Sequence, residues 1–457
     1  MLGIGTAAAK SEARNGDPTA ALIFPAIERF IPPTLDAELS RRQAGAWRYD
    51  LLNTPRMLRF ELLQACQPEQ TFQDTLREVW HSWQCAGRET GSLPTSGSLA
   101  EARARVPVWA LEMLFKHTAL LAAQAQPPSP CPKHRLLSVD ATLLAVPNTP
   151  EFRLRYGVLR TQHGAAYYPQ ALAVWLALVG NGAVIAEHFG SSRQGEESIL
   201  PRLLPNHLNA GDLVLGDARI GTYATLVQTA RCGAFFLFRA PGPLRIEKHV
   251  LRRWTADDLD LRLELCGATR RHHPDLSLPP YFDARAVSFE IPARDLLNHT
   301  ERLPFLTNLP REQFTVFALS RLGLLRWSHE TLNNDIKTRL GLGEIRSQRP
   351  EGVRREVLAH LCISNLLRIL LSEAQPEIPL AGSFTAARSA LYQANQQLRM
   401  APERQTELLK LIPKMIQQQS WAYRPTRTEP RLARPHKRRH GIFKTSRAQW
   451  RAKRKVG

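Results

Sequence analysis

Near residue 131 the hydrophobic period of this chain changes from helical to strand-like, which limits the architectures open to it. Before that point LRFELLQAC and TFQDTLREVWHSW place apolar residues at three- and four-residue intervals, the spacing of a one-sided helix. The run SLAEARARVPVWALEMLFKHTALLAAQAQ continues the pattern. Ser98 reads as its cap, Glu101 three residues on fits a capping box, and Pro107 marks a break. After PPSPCP (127–132) come runs of strand length: HRLLSVDATLLAVP (134–147), YPQALAVWLALV (168–179) and AVIAEHF (183–189). A helix-like GEESILPRLLPNHL, the strand DLVLGD (212–217), the helix TYATLVQTAR and the strand AFFLFR (234–239) follow. Strands first and strand–helix–strand alternation afterwards predict an α/β protein with a mixed sheet flanked by helices.

Residues 240–309 interrupt this alternation with HVLRRW, LDLRLELC and AVSFEIPA, strand-like segments separated by turn-rich stretches such as RRHHPDLSLPP. Helical periodicity resumes at 311 through LGLLRWSHETLNNDIKTRL and RREVLAHLCISNLLRILLSEA. The expected organisation is a helical, DNA-binding N-terminal unit (1–130, its first thirty or so residues loosely ordered), a core in two parts (131–239 and 310–375) around a β-rich insertion (240–309), a helical region (376–423) and a basic tail (424–457). Helices between about 384 and 418 read either as an interface or as ordinary core.

Charge narrows the partners. The net charge is +20, and residues 424–457 carry thirteen Lys and Arg against Glu429 alone. So basic a chain associates with polyanions, nucleic acid before membrane. The tail reads as a solvated extension or as a phosphate-binding segment, in which Phe443 and Trp450 can stack on bases. No apolar run of about 18 residues announces a membrane span, and MLGIGTAAAK makes a poor secretory signal; the expected location is the cytoplasm. Six scattered cysteines without a CxxC pair read as reduced thiols rather than a zinc site. GxSxG and GxxxxGK[ST] are absent, which disfavours a serine hydrolase and a phosphate-loop ATPase.

Three acids stand out by context. Asp140 lies inside an apolar strand, where a lone carboxylate is costly unless paired or bound to metal. Asp217 closes the strand LVLGD, at the sheet edge where α/β ligand sites gather, though a helix N-cap explains it equally well. If the two strands are neighbours, their carboxylates repel, and a hard divalent cation relieves that repulsion. Glu330 shares a helical stripe with Arg326 and Lys337: steps of four and seven residues bring all three within roughly 60° of one face. That stripe can hold a metal and phosphates, or be a surface ion pair. His329, turned about 100° from Glu330, reads as a supporting residue.

SVDATLLAVPNT, LVLGDARIGTY and RWSHETLNNDIK, in that order, resemble the three signature blocks of DDE transposases from bacterial insertion sequences. The last is similar to the Y-x2-R-x3-E-x6-K pattern of the branch with a β-rich insertion. The spacings of 77 and 113 residues between the three acids, and TNL at 307–309, agree with that branch. The resemblance covers roughly residues 98–372. It implies a ribonuclease H-like core with Asp140 on the first strand, Asp217 beyond the fourth and Glu330 on a later helix. It further implies two Mg²⁺ or Mn²⁺ ions about 3.5–4 Å apart that activate the attacking oxygen and stabilise the leaving one. Arg326 and Lys337 are then expected to grip DNA phosphates. Trp254 becomes a candidate contact for a flipped base, with plain packing as the alternative. Double-stranded DNA, as terminal repeats and as target, a homodimer assembled on it, and the nucleoid of a bacterial cytoplasm complete the expectation. The family tyrosine falls on Gly323, which puts one contact with the transposon end in doubt. A nuclease of the same fold, and a DNA-binding protein derived from a transposase without activity, are the rival readings.

Overall fold

The computed structural model describes residues 20–42, 52–86, 92–129, 131–161, 164–242, 244–292, 300–326 and 328–419. The basic tail, with Phe443 and Trp450, lies outside the described residues. Short 3₁₀ turns at Ala20–Leu22 and Pro25–Phe30 open the described chain. Ile23, Phe24, Ile27 and Phe30 are buried there, so the expectation of loose order fails from residue 20 onward because this stretch is apolar enough to pack. Five helices follow: α1 (Pro33–Arg42), α2 (Thr54–Cys66), α3 (Phe72–Cys85), α4 (Ser96–Ala104) and α5 (Val108–Gln124). Thr95, not Ser98, caps α4: its hydroxyl accepts from the Ser98 amide, which moves the cap three residues upstream of the expected one. Pro107 is the N-cap of α5, and α4 and α5 meet at a 69° bend, as a residue without an amide hydrogen requires.

The sheet begins with β1 (Leu136–Ala145). After α6 (Pro150–Tyr156) and the small hairpin β2 (Arg160–Thr161) and β3 (Gly164–Ala165), β4 (Gln170–Leu178) pairs antiparallel with β1, and β5 (Val184–Ser191) with β4. Next come α7 (Glu196–Leu203), β6 (Leu213–Gly216), α8 (Tyr223–Arg231) and β7 (Phe235–Arg239), with β6 parallel to both β1 and β7. The β-rich stretch supplies β8 (Val250–Thr255), β9 (Asp258–Glu264), a short helix α9 (Gly267–His272), β10 (Tyr281–Pro292) and β11 (Thr300–Thr307). These four strands join the core sheet at β7. The result is one nine-stranded mixed sheet in the order β5-β4-β1-β6-β7-β11-β10-β9-β8.

Helices cover both faces. Alternation along the strands sends Val139, Val214, Phe236 and Phe238 to one core, and Leu136, Leu213, Leu215 and Leu237 to the other. The second core is closed by α10 (Val316–Leu325), through Leu319 and Leu322. Beyond α10 the chain forms α11 (Ser328–Asn334), a wide π-helical turn at Asp335–Arg339, α12 (Pro350–Ala374), α13 (Phe384–Met400) and α14 (Gln405–Gln418). By length and composition α12 is long and apolar enough to cross a membrane. Its apolar window is 94% buried, however, and it packs on α5, α2 and α14 as the central helix of the first core. That core runs without interruption from Ile23 to Ile416, so the N- and C-terminal helices share one interior with the sheet.

Candidate active site

The strand register builds the site. Leu136 to Val139 of β1 lie opposite Leu213 to Gly216 of β6 in parallel, and the next pair in that register is Asp140 and Asp217. The two carboxylates therefore leave adjacent strands at one level, and alternation puts both on the α10–α11 side. Gly216 makes this close packing possible: a Cβ there would lie 2.9 Å from Phe238 Cδ1 and 3.1 Å from Ile220 Cγ2. Just beyond it Asp217 closes a tight turn, with its carbonyl accepting from the Ile220 amide and its Oδ1 accepting from the Ala218 amide at 2.5 Å. The cap of α8 is Thr222, whose hydroxyl accepts from the Thr225 amide, so the N-cap alternative for Asp217 does not hold.

Asp140 Oδ1 accepts from the Ala141 amide at 2.8 Å, and its Oδ2 accepts from Asn333 Nδ2 at 3.3 Å. Glu330 comes from α11, which lies against β1. Its partner Arg326 is 3.5 Å away. Of the single helical face expected for Arg326, Glu330 and Lys337, the Arg326–Glu330 pair forms at i,i+4, while Lys337 leaves it. The α10 helix ends at Leu325 with Arg326 as its C-cap, α11 starts again at Ser328, and Lys337 sits in the π-helical turn. Lys337 reaches β1 instead of open solvent: its Nζ donates to Thr142 Oγ1 at 2.9 Å and to the Leu143 carbonyl at 3.2 Å.

Two further residues belong to the neighbourhood. Glu196, first residue of α7, comes over the same sheet edge. Burial pushes its carboxyl above the usual range, and the negative charges of Asp140, Glu197 and Asp217 add to this against the opposing Arg219. Its sequence context, an acid in the first turn of a helix, is so common that nothing marked it out. His329 is fully buried, its Nδ1 2.8 Å from Ser138 Oγ on β1. Burial and then the charge of Arg326 push the imidazole down to about 3, so it is neutral at ordinary pH.

Gly323 and Trp254 fall elsewhere. A Cβ on Gly323 would lie 2.9 Å from Phe289 Cζ, in the stacked Phe289–Phe305 pair under α10. In this chain the position faces the core, so a tyrosine there has no room. Trp254 is half-exposed on β8, its Nε1 donating to Asp260 Oδ2 at 2.6 Å. The guanidinium carbons of Arg252 and Arg311 lie 3.5 and 4.5 Å from its ring centroid.

The donor chemistry suits a hard cation. Every candidate ligand is a carboxylate oxygen, which favours Mg²⁺ or Mn²⁺ over zinc. Asn333 Oδ1, beside Asp140, is buried with no hydrogen-bond partner among the described residues, an orphan oxygen in a site otherwise rich in acids. No three His, Cys, Asp or Glu side chains among the described residues close into a ready-made cage. Two acids thus stand at the carboxyl ends of two central parallel strands, and the helix that carries Glu330 lies against one of them. A family profile of the transposase DDE domain matches residues 132–366, and the chain belongs to the DDE transposase family. No curated protein sequence matches the chain. A cryo-EM structure of the piggyBac transposase synaptic complex with hairpin DNA is similar at 12% identity and a TM-score of 0.41, over 87% of this chain and 84% of that one.

Proposed function

We propose that this chain is a ribonuclease H-like, cut-and-paste transposase of a bacterial insertion sequence, cleaving DNA at its element's ends and joining them to a target. The observation that carries the reading is the parallel register of β1 and β6, which sets Asp140 beside Asp217 where α11 brings in Glu330. The strand order β5-β4-β1-β6-β7, with only β6 and β7 parallel to β1 among its direct and next neighbours toward the insertion, supports the fold reading. Asp140, Asp217 and Glu330 would supply the oxygens for a pair of Mg²⁺ or Mn²⁺ ions, and the metal would supply Lewis acidity toward the scissile phosphate when bound.

The protein's own part is positioning. Amide donors fix both oxygens of Asp140. Arg326, with a mostly buried side chain, is held against Glu330 and is the phosphate clamp nearest to it. Lys337 takes the same role with the third hydrogen of its ammonium, the other two being given to Thr142 Oγ1 and the Leu143 carbonyl. Trp254 is the candidate stacking partner for an unpaired base. Double-stranded DNA, as terminal repeats and target, is the partner; a homodimer on two ends, in the nucleoid of the cytoplasm, is the assembly. The rival reading, a DNA-binding relic without activity, starts from Gly323; the packing of that position against the Phe289–Phe305 stack supports a structural role for the glycine in this chain.

The test is cleavage of DNA carrying the element's terminal repeats, in Mg²⁺, by wild type and by Glu330→Gln. Wild type nicks at the element boundary and forms joined products. Glu330→Gln binds the same DNA equally well and loses cleavage by about 10³-fold or more, the scale of a removed transition-state contact. Binding without cleavage by wild type would sink the enzyme reading.

A further inference from the structure

The helix carrying Glu330 is tied to the strand carrying Asp140 at three points. His329 Nδ1 pairs with Ser138 Oγ at 2.8 Å, Asn333 Nδ2 donates to Asp140 Oδ2 at 3.3 Å, and Lys337 Nζ donates to Thr142 Oγ1 at 2.9 Å. The helical members are spaced by four residues and the strand members by two. Four residues of α-helix rise about 6 Å, and two residues of strand about 6.6 Å. The two repeats therefore stay in step, and Ser138, Asp140 and Thr142 all project from one face of β1.

Rotation is the remaining problem. Each four-residue step in an α-helix overshoots a full turn by about 40°, so the third rung would be about 80° out of line. The π-helical turn at Asp335–Arg339 answers this: the Leu340 amide bonds the Asp335 carbonyl five residues back, and such a turn rotates less per residue. The turn is anchored from behind. Buried Asp335 accepts from Arg339 at 2.6 Å and from Arg368 of α12, so the wide turn is fixed to the central helix.

We propose that this ladder sets Glu330 against Asp140, and that His329 and Asn333 are positioning residues of the active site. The inference rests on the metal-dependent reading above. Its physical basis is that α11 has only seven residues and the π-helical turn five, a combined length that is marginal by itself, so their docking decides where Glu330 points. Glu330 sits between the first and second rungs. A polar, buried His329 is costly unless its contact with Ser138 matters, since its Nε2 finds no hydrogen-bond partner among the described residues.

The experiment is a Mn²⁺ titration followed by electron paramagnetic resonance, with end cleavage against Mn²⁺ concentration alongside, on the full-length chain. Wild type is compared with Ser138→Ala, His329→Leu, Asn333→Leu, His329→Asn and the double variant Ser138→Ala/His329→Leu. Loss of a supporting partner to a metal ligand weakens metal affinity about 10–100-fold. His329→Leu and Asn333→Leu are expected in that range, with Ser138→Ala smaller in the same direction. The double variant is expected to be no worse than His329→Leu, the signature of one shared contact. His329→Asn, whose amide keeps a partner for Ser138, recovers most of the affinity. Should His329→Leu fail to melt cooperatively, Ser138→Ala carries the test, because it removes a single hydroxyl. Mn²⁺ affinity within twofold of wild type in Ser138→Ala and Asn333→Leu, with Glu330→Gln inactive, overturns the ladder and leaves the enzyme reading standing. A wild type that neither binds Mn²⁺ nor cleaves takes both down together.

Discussion

The two halves of the sheet both gather acids, and they partner them differently. In the outer half, Asp258 is buried and gripped by two arginines: Arg285 at 2.7–2.8 Å and Arg311 at 2.9 Å. Arg311 also holds Asp260, Arg262 holds Asp283, and Arg302 pairs with Asp257. In the inner half, Asp140 and Asp217 share a level on adjacent strands, and Glu196 comes close enough to feel both. The acids there take hydrogen bonds from amides, at Ala141, Ala218 and Asn333. Arginines neutralise charge where the sheet only has to hold together. Amides leave charge in place where a cation is to be bound, and the folded protein bears the repulsion.

That contrast breaks most visibly on substitution. Asp258→Ala leaves Arg285 buried with its charge unanswered, and is expected to cost about 3–5 kcal/mol, the scale for breaking a buried pair from one side. Asp217→Asn keeps the oxygen that accepts from the Ala218 amide and removes one of the crowded charges. It is expected to stabilise the metal-free protein by about 1 kcal/mol, while abolishing cleavage. Thermal melting in EDTA reads both. A destabilised Asp217→Asn would mean that the inner acids are not under mutual strain.

How much of this could be read beforehand follows from the kind of signal each residue carries. Asp140 was legible because an acid inside LLSVDATLLA violates the hydrophobic pattern, and Asp217 because it ends a strand. Their pairing was legible only as a possibility, since strand neighbours are set by long-range packing. The stretch 326–337 was half legible from its spacing: Arg326 and Glu330 pair as an i,i+4 step predicts, but the helix widens at Asp335 and Lys337 turns to β1. Glu196 broke no local rule. Its position matters only because β5 delivers the start of α7 to the sheet edge. The extension of one sheet by β8–β11 was equally hidden, for strand-like segments do not say what they pair with.

Acidity separates the halves with opposite signs. Burial pushes Asp258 and Asp260 up, but hydrogen bonds from their arginines and, for Asp260, Trp254 outweigh it and hold both below the usual 3.8. The unfolded chain then binds more protons in that range, so their contribution is present above pH 3.8 and is lost as pH falls below it. Glu196 is raised above 4.5, so the folded form binds the extra proton. Its contribution is present below 4.5 and is lost as pH rises through the raised value. His329 is lowered from 6.5 to about 3, so its contribution is full above 6.5 and declines toward 3. In metal-free protein, Glu196→Gln is expected to remove the loss of stability on the rising side alone, and Asp260→Asn to blunt the loss at the acid end. Urea unfolding across pH 3–8 checks the pattern, and a Glu196→Gln profile parallel to wild type would remove Glu196 from the charged cluster.

Trp254 is where the outer half touches function, and its effect is the smallest. An indole flanked by Arg252 and Arg311 gains about 0.5–1 kcal/mol from each such contact at an exposed site. Trp254→Ala is therefore expected to lower stability by only about 1–2 kcal/mol. A base stacked on the same ring is worth about 1–3 kcal/mol, which makes binding of DNA with an unpaired base the sharper readout. Trp254→Ala is expected to weaken that binding about tenfold relative to fully paired DNA, with Trp254→Phe restoring it because any aromatic face suffices for stacking. Arg252 covers the ring at 3.5 Å, so a base must first displace its guanidinium. Arg252→Ala should then tighten binding of the unpaired base while weakening that of paired DNA. If all three variants bind both DNAs alike, Trp254 belongs wholly to the arginine–aspartate lattice, and the outer half serves the sheet without touching the bases.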